Sequence, residues 1–174
     1  MTEMQKIKLA VERTTKALSL KPSLGQSTGV SKARIKNGLT CEIHEGNWKF
    51  LADMPAAVGG NTQGPTPGVY GRAALGSCLA IGYMMAAAKK DIPITMLEVE
   101  VQADYDDGAL FGTANVFPGY SEVRYTITIE SEAPEEDVLK MLDEADQHSP
   151  YLDVFSRAQH CKREVRIAAP KDQS

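Results

Sequence analysis

One long stretch without an acidic residue, Pro67–Lys90, constrains the fold of this chain more than any other feature. Its charges are confined to Arg72 near one end and Lys89–Lys90 at the other. Thr66 and the proline after it are typical of a helix start, and the two lysines suit the carbonyl end. A helix that is apolar on nearly every face must be buried on nearly every face, and this one is too short to span a bilayer. The stretch predicts the central helix of a soluble core, with the thiol of Cys78 at its middle.

The bulk properties exclude several classes of protein. A length of 174 residues fits one domain with a substantial core, and a net charge of −4 argues against a nucleic-acid or anionic-membrane partner. No basic, apolar leader opens the chain, so no secretory signal is expected. The three cysteines, Cys41, Cys78 and Cys161, are an odd number at wide spacing, which is typical of free thiols in a reducing compartment. We therefore expect a cytoplasmic protein.

The chain divides into an extension, a main domain and a tail. Apolar residues recur at helical spacing near the start: Met4, Ile7, Val11 and Leu18. A polar, glycine-containing linker follows at 23–29. Residues 1–30 are therefore predicted as an N-terminal helical extension and linker, residues 31–169 as the main domain and residues 170–174 as a loose tail.

The main domain mixes strand and helix patterns without a regular βαβ alternation. Alternating or β-rich runs predict strands at 39–44, 48–52, 96–105, 109–116, 123–129 and 160–168. Besides the central helix, the patterns predict a helix at 135–147 and a short one after Ser149-Pro150, to about Arg157. The fold class expected is α+β, with a five- or six-stranded antiparallel or mixed sheet and segregated helices.

No metal or cofactor site is predicted. Asp104, Asp106 and Asp107 lack the spacing and the glutamate of a calcium loop, so a hairpin turn explains them better. The glycine-rich run 59–64 lacks the Gly-Lys-Ser/Thr ending of a phosphate loop. The three histidines form no zinc-binding pattern.

Cys78 allows two interpretations. A cysteine on an apolar helix is most often a small buried hydrophobic residue, but a nearby cation turns a thiol into a nucleophile. Arg72 is the nearest charge in sequence, yet six residues at about 100° each place it about 120° from the face of Cys78. An activating arginine would come from elsewhere in the fold or from a second subunit, and Arg34 is one candidate.

The order of motifs resembles a known family. The loop Gly64-Pro65-Thr66-Pro67, the helix segment 72–80 (RAALGSCLA), the Ile92-Pro93 step and a long strand resemble the osmotically inducible and organic-hydroperoxide-resistance proteins of the OsmC/Ohr family. The resemblance extends from about residue 33 to residue 168, and the first thirty or so residues lie outside it.

The resemblance implies an intertwined homodimer in which sheets from both chains wrap long central helices. It also implies a thiol peroxidase site at the dimer interface. In the family the helix cysteine attacks an organic hydroperoxide and becomes a sulfenic acid, and a second cysteine then closes a disulfide that a dithiol reduces. An arginine and a glutamate hold the first thiolate in its reactive state. Cys78 matches the attacking position.

This sequence departs from the family pattern at two positions. Ser149 stands where the resolving cysteine is expected, and Gly68 stands where the glutamate is expected. Cys41 and Cys161 lie in predicted strands and do not replace the missing thiol. The expected activity is therefore that of a one-cysteine peroxidase served by an external thiol reductant. The alternative is a non-catalytic dimer that binds a small apolar ligand at its interface.

Overall fold

The computed structural model describes residues 1–168 of the chain. The helices are α1 (Glu3–Leu20), α2 (Pro67–Lys90), α3 (Asp107–Leu110), α4 (Glu135–Asp146) and α5 (Pro150–Ser156). The strands are β1 (Lys32–Arg34), β2 (Cys41–Glu45), β3 (Trp48–Ala52), β4 (Met96–Asp104) and β5 (Glu122–Glu130). The α+β class is confirmed. Of the residues described, no helix is both long and apolar enough to cross a bilayer.

The central helix α2 has the bounds that its sequence predicts. Thr66 has an extended backbone before Pro67 at the first helical position, and Asp91 ends the helix with φ at 56°. The buried side chains recur every four residues along one face and include Leu75, Leu79 and Tyr83. The opposite face is not covered by residues 1–168. It forms the exposed α2 stripe, which consists of Val69, Ala73, Ser77, Ile81 and Met85.

The β4–β5 hairpin covers the buried face of α2. The two strands pair antiparallel from Met96 opposite Glu130 to Asp104 opposite Glu122. Apolar side chains on one face of this sheet pack against the α2 core: Leu97, Val99, Val101, Val123, Tyr125 and Ile127. Gly76 permits the close approach, because a β-carbon there would lie 3.3 Å from a methyl of Val101.

Helices α1 and α4 hold the far end of α2. Met141 of α4 is fully buried with Ala87 and Ile92, and Met4 of α1 packs on the same cluster. Lys8 of α1 also forms an ion pair with Asp91, which caps the carbonyl end of α2. The predicted extension is therefore a helix that lies against the central helix.

A second sheet, with strand order β1-β2-β3, is joined to α2 through a buried carboxylate. Asp53 is only 2% exposed and accepts hydrogen bonds from Thr40 Oγ1 at 2.8 Å and from the backbone N–H groups of Met54, Asn61 and Gln63. These bonds fix the loop that leads into α2. They also satisfy a group that would be costly to bury without partners.

Two predicted strands are wrong, and the single predicted sheet is two sheets. Residues 109–116 form part of α3 and a compact turn, because the Asp106 carboxylate accepts from Gly108 N at 2.7 Å and starts a helical turn. Residues 160–168 are exposed and pair with no strand among residues 1–168. A strand forms only where another backbone edge completes its hydrogen bonds. The division into residues 1–30 and 31–169 stays a prediction, and the predicted tail lies outside the described residues.

Candidate functional site

Cys78 and Ser149 lie side by side, although 71 residues separate them in the sequence. The distance between Cys78 Sγ and Ser149 Oγ is 3.7 Å, and both residues are half-buried. Cys78 sits on α2 between exposed Ser77 and buried Leu79. Cys78 therefore lies at the edge of the core, and a hydroxyl lies within contact of its sulfur.

The backbone around Ser149 explains how the hydroxyl reaches this place. Ser149 is the N-cap of α5, with Pro150 at the first helical position, and its Oγ accepts from Leu152 N at 3.4 Å. The side chain therefore satisfies a free N–H of α5 while its other side contacts the Cys78 sulfur. The same oxygen atom thus caps a helix and neighbours the thiol.

Arg72 does not reach Cys78. Its guanidinium folds toward the start of α2, where a β-carbon on Gly68 would lie 3.4 Å from Arg72 Nη1. Cys78 is six residues away in the other direction, or about 9 Å along the helix axis. The structure therefore separates these two predicted site residues.

Arg34 lies on β1, opposite Glu42 of β2, and its side chain is exposed. It forms no ion pair with a carboxylate of residues 1–168. Within that same range Cys78 Sγ has no hydrogen bond to a lysine or arginine, and its polar contact is Ser149. Residues 1–168 of one chain therefore place no lysine or arginine in hydrogen-bond contact with the sulfur, and a reactive thiolate needs a neighbouring cation.

Tyr120 is a site residue that the sequence patterns did not indicate. Its hydroxyl donates to the carbonyl oxygen of Gly68 at 3.2 Å, and its ring stacks on Phe155 of α5 at a centroid distance of 6.2 Å. Tyr120 thus joins the start of α2 to the helix that Ser149 caps. An aromatic residue in a turn before a strand carries no pattern by which this contact could be found.

Asp146 is the second residue that the patterns missed. It ends α4 and accepts hydrogen bonds from Tyr83 Oη at 2.6 Å and from Tyr125 Oη at 3.0 Å. Burial, and then the bond to Asp146, raise the pKa of both tyrosines, which therefore stay neutral donors at physiological pH. These three side chains form a polar cluster, and the backbone carbonyl of Asp146 accepts a hydrogen bond from the backbone N–H of Ser149 at 3.2 Å.

The other cysteines and carboxylates take no part in this site. Cys41 is half-buried on β2, Cys161 is exposed beyond α5, and all three cysteines are free. Asp104 is engaged by Arg124 and Asp106 caps α3. In the described part of the chain, no group of three or more His, Cys, Asp or Glu side chains is placed to hold a metal ion.

An apolar groove lies beside the exposed α2 stripe. It has a volume of about 420 Å³ and is lined mainly by aliphatic side chains. Its lining includes Ile7, Ile81, Met84, Met85, Ile94 and Met96. Because two of these residues belong to the exposed α2 stripe, the groove and the stripe form one continuous apolar surface.

Comparisons with known proteins match this arrangement. The family model described as OsmC-like protein matches residues 59–163, which is more than half of the chain. An OsmC-like protein from Mycoplasma pneumoniae superposes with a TM-score of 0.64 at 16% identity, over 75% of this chain and 89% of that one.

Two further structures share the fold. A putative osmotic stress induced and detoxification response protein from Psychrobacter arcticus gives a TM-score of 0.58 at 19% identity, over 74% of this chain and 88% of the other. An organic hydroperoxide resistance protein OsmC from Legionella pneumophila gives 0.54 at 15% identity, over 75% and 90%. No curated protein matches the sequence. On the family match and the shared fold, the chain belongs to the OsmC-like protein family.

Proposed function

We propose that this protein is a thiol-dependent peroxidase that reduces organic hydroperoxides at Cys78. The observation that carries the proposal is the 3.7 Å contact between Cys78 Sγ and Ser149 Oγ. Position 149 is where the family resemblance expects a resolving cysteine, and the fold brings it to the thiol. The Legionella pneumophila protein of the same fold is described as an organic hydroperoxide resistance protein, which supports the substrate class.

The chemistry follows from a single reactive thiol. The Cys78 thiolate attacks the terminal hydroxyl oxygen of the hydroperoxide, and the O–O bond breaks. The alkoxide leaves, takes a proton and becomes an alcohol. Cys78 is then a sulfenic acid. An external thiol attacks that sulfur and water leaves, which gives a mixed disulfide, and a second external thiol releases Cys78. Ser149 can hydrogen-bond the sulfur in each state, but its oxygen cannot close a disulfide.

The cation for the thiolate comes, in this proposal, from Arg34 of a second subunit. Arg72 points away from Cys78, whereas Arg34 is exposed and has no ion pair within residues 1–168. A guanidinium beside a thiol favours the thiolate. The site would then be complete only in a homodimer.

The exposed surface supports a homodimer. The exposed α2 stripe carries this argument, because Ile81 is 62% exposed in the middle of the most apolar helix. Covering that stripe with a second copy would bury the central helix on both faces, as its sequence requires. Three free cysteines suit a cytoplasmic location.

A second candidate function rests on the apolar groove beside the stripe. A groove of about 420 Å³ lined by isoleucine and methionine is a suitable size and chemistry for a small apolar ligand. In that case Cys78 is a packing residue and the protein is a non-catalytic dimer.

The experiment compares the native protein with Cys78→Ser in the presence of cumene hydroperoxide and a dithiol. The peroxidase proposal expects Cys78→Ser to abolish hydroperoxide consumption while the dimer stays folded. Cys41→Ser and Cys161→Ser are matched controls and should retain the native rate. Unchanged consumption in Cys78→Ser would overturn the proposal and leave ligand binding as the function to pursue.

A further inference from the structure

The carboxylate of Asp146 joins three elements of the fold. Its Oδ1 accepts from Tyr83 Oη of α2 at 2.6 Å and its Oδ2 accepts from Tyr125 Oη of β5 at 3.0 Å. Tyr83 is 1% exposed and belongs to the same core cluster as Leu79, the neighbour of Cys78. Both carboxylate oxygens are therefore used to fix the end of α4 against the central helix and the sheet.

A single turn connects Asp146 to the thiol. Ser149 N donates to the Asp146 carbonyl oxygen at 3.2 Å, and the Ser149 side chain then meets Cys78 Sγ. Helix α2 therefore holds the turn 146–149 at two points, through Tyr83 at one end and Cys78 at the other. Tyr83 and Cys78 lie five residues apart on one rigid helix. The hydrogen bond from Tyr83 to Asp146 therefore influences where Ser149 lies relative to Cys78.

We propose that Asp146 is a positioning residue that sets the separation between Cys78 and residue 149. Apolar side chains around the turn, such as Leu142 and Leu152, pack without a strong preference for direction, whereas two hydrogen bonds to one carboxylate fix both distance and angle. The inference rests on the proposed function only for its use in catalysis, because the geometry can be measured without a hydroperoxide.

With a cysteine at position 149, the separation between Cys78 and residue 149 can be measured through the equilibrium constant for forming a disulfide between them. In a protein with Ser149→Cys, Cys41→Ser and Cys161→Ser, the two remaining thiols and one oxidised glutathione exchange to give an intramolecular disulfide and two reduced glutathiones. The ratio of the species at equilibrium gives the effective molarity of the pair and its reduction potential. Disulfide bonds tolerate only a narrow range of geometry, so this quantity reports the position of residue 149.

Three substitutions in this background test the proposal. Asp146→Leu removes both acceptors and should lower the effective molarity at least tenfold, which raises the reduction potential by about 30 mV. Asp146→Asn keeps an acceptor for one tyrosine and places an N–H donor toward the other. Its effective molarity should stay within threefold of the value in the background protein. Asp143→Leu is the matched control on the exposed side of α4 and should change nothing.

Tyr83→Phe and Tyr125→Phe keep the test decisive if Asp146→Leu does not fold. Each removes one hydroxyl and keeps the ring, and each should lower the effective molarity at least threefold. An unchanged value in folded Asp146→Leu, or in both phenylalanine variants, would overturn the role of Asp146. Because no hydroperoxide is used, loss of the peroxidase proposal would leave this result unaffected.

Discussion

The hydroxyl of Tyr120 donates a hydrogen bond to the carbonyl oxygen of Gly68 at 3.2 Å and thereby ties the loop before β5 to the first turn of α2. A β-carbon at position 68 would lie 3.7 Å from that hydroxyl and 3.4 Å from Arg72 Nη1, which is ordinary contact. A lack of space therefore does not explain why position 68 is glycine, where the resemblance led us to expect glutamate.

We expect Gly68→Glu to stabilise the protein by about 1 kcal/mol, because it removes a flexible residue from a helix and adds an acid four residues before Arg72 near the amino end. Urea unfolding measures the change. Gly68→Ala separates the backbone contribution from the charge, and it should give about half of the gain. A loss of stability in Gly68→Glu would mean that the Tyr120 contact does not tolerate a side chain.

Arg34→Ala should slow alkylation of Cys78 by iodoacetamide at neutral pH by about tenfold, since loss of a neighbouring cation lowers the thiolate fraction. Arg72→Ala should change the rate less than twofold, because its guanidinium points toward Gly68. Lys32→Ala is the charge control, as it lies two residues earlier on the same strand. Equal rates in all four proteins would exclude Arg34 as the activating group.

Oxidation by a hydroperoxide should leave native Cys78 as a sulfenic acid or a mixed disulfide, because Ser149 cannot resolve it. Ser149→Cys should instead give an intramolecular disulfide between Cys78 and the introduced thiol, since the two positions are already in contact. Peptide mass spectrometry identifies the products. A Cys78–Cys41 or Cys78–Cys161 link in the native protein would show that another thiol resolves the reaction.

Acid should destabilise the loop that leads into α2 through Asp53. Burial alone would raise the pKa of Asp53, but hydrogen bonds from Thr40 and three backbone N–H groups lower the pKa below its ordinary value. A carboxylate with a lower pKa in the folded state stabilises that state above its unfolded pKa, and this contribution disappears as the pH falls through the folded value. The free energy of unfolding should therefore decrease as the pH is lowered from about 4.

Asp53→Asn is the matching variant. It should be less stable than the native protein at neutral pH and show a flatter dependence on pH in the acid range, measured by urea unfolding. Asp143→Asn, a change on the exposed face of α4, should keep the native profile. If Asp53→Asn keeps the native dependence of unfolding free energy on pH, carboxylates other than Asp53 are responsible for the loss of stability in acid.

Ile81→Lys should weaken the proposed dimer at least a hundredfold, because it places a charge at the centre of the exposed α2 stripe. The secondary structure should be retained, as Ile81 is 62% exposed within the single chain. Light scattering at micromolar concentration measures the mass. Leu139→Lys is the control on α4, where a similarly accessible leucine should have no effect. A monomeric native protein would contradict the proposed assembly.

Sequence patterns sufficed where the determinants are local. Proline after Thr66 and the two lysines at the far end define α2, and the alternation of 123–129 defines most of β5. Gly46, with φ at 54°, lies in the predicted tight turn between β2 and β3. In each case neighbouring residues alone determine the conformation.

Patterns failed where a residue distant in the sequence decides the outcome. Tyr120 and Asp146 take their roles from partners 52 and 63 residues away, and neither has a motif. Residues 160–168 have the composition of a strand, but they pair with no strand among residues 1–168, and their composition alone could not show this. The contact of Cys78 with Ser149 was accessible only through the family resemblance, because a spacing of 71 residues carries no geometric information.

The hydroxyl at position 149 also determines the rate law of the proposed cycle. An internal thiol resolves a sulfenic acid in a unimolecular step, whose rate is independent of the reductant concentration. With Ser149 beside Cys78, every resolution is bimolecular, so the lifetime of the oxidised protein is inversely proportional to the concentration of free thiol. The fraction of oxidised protein at steady state would therefore follow the ratio of hydroperoxide to thiol around it.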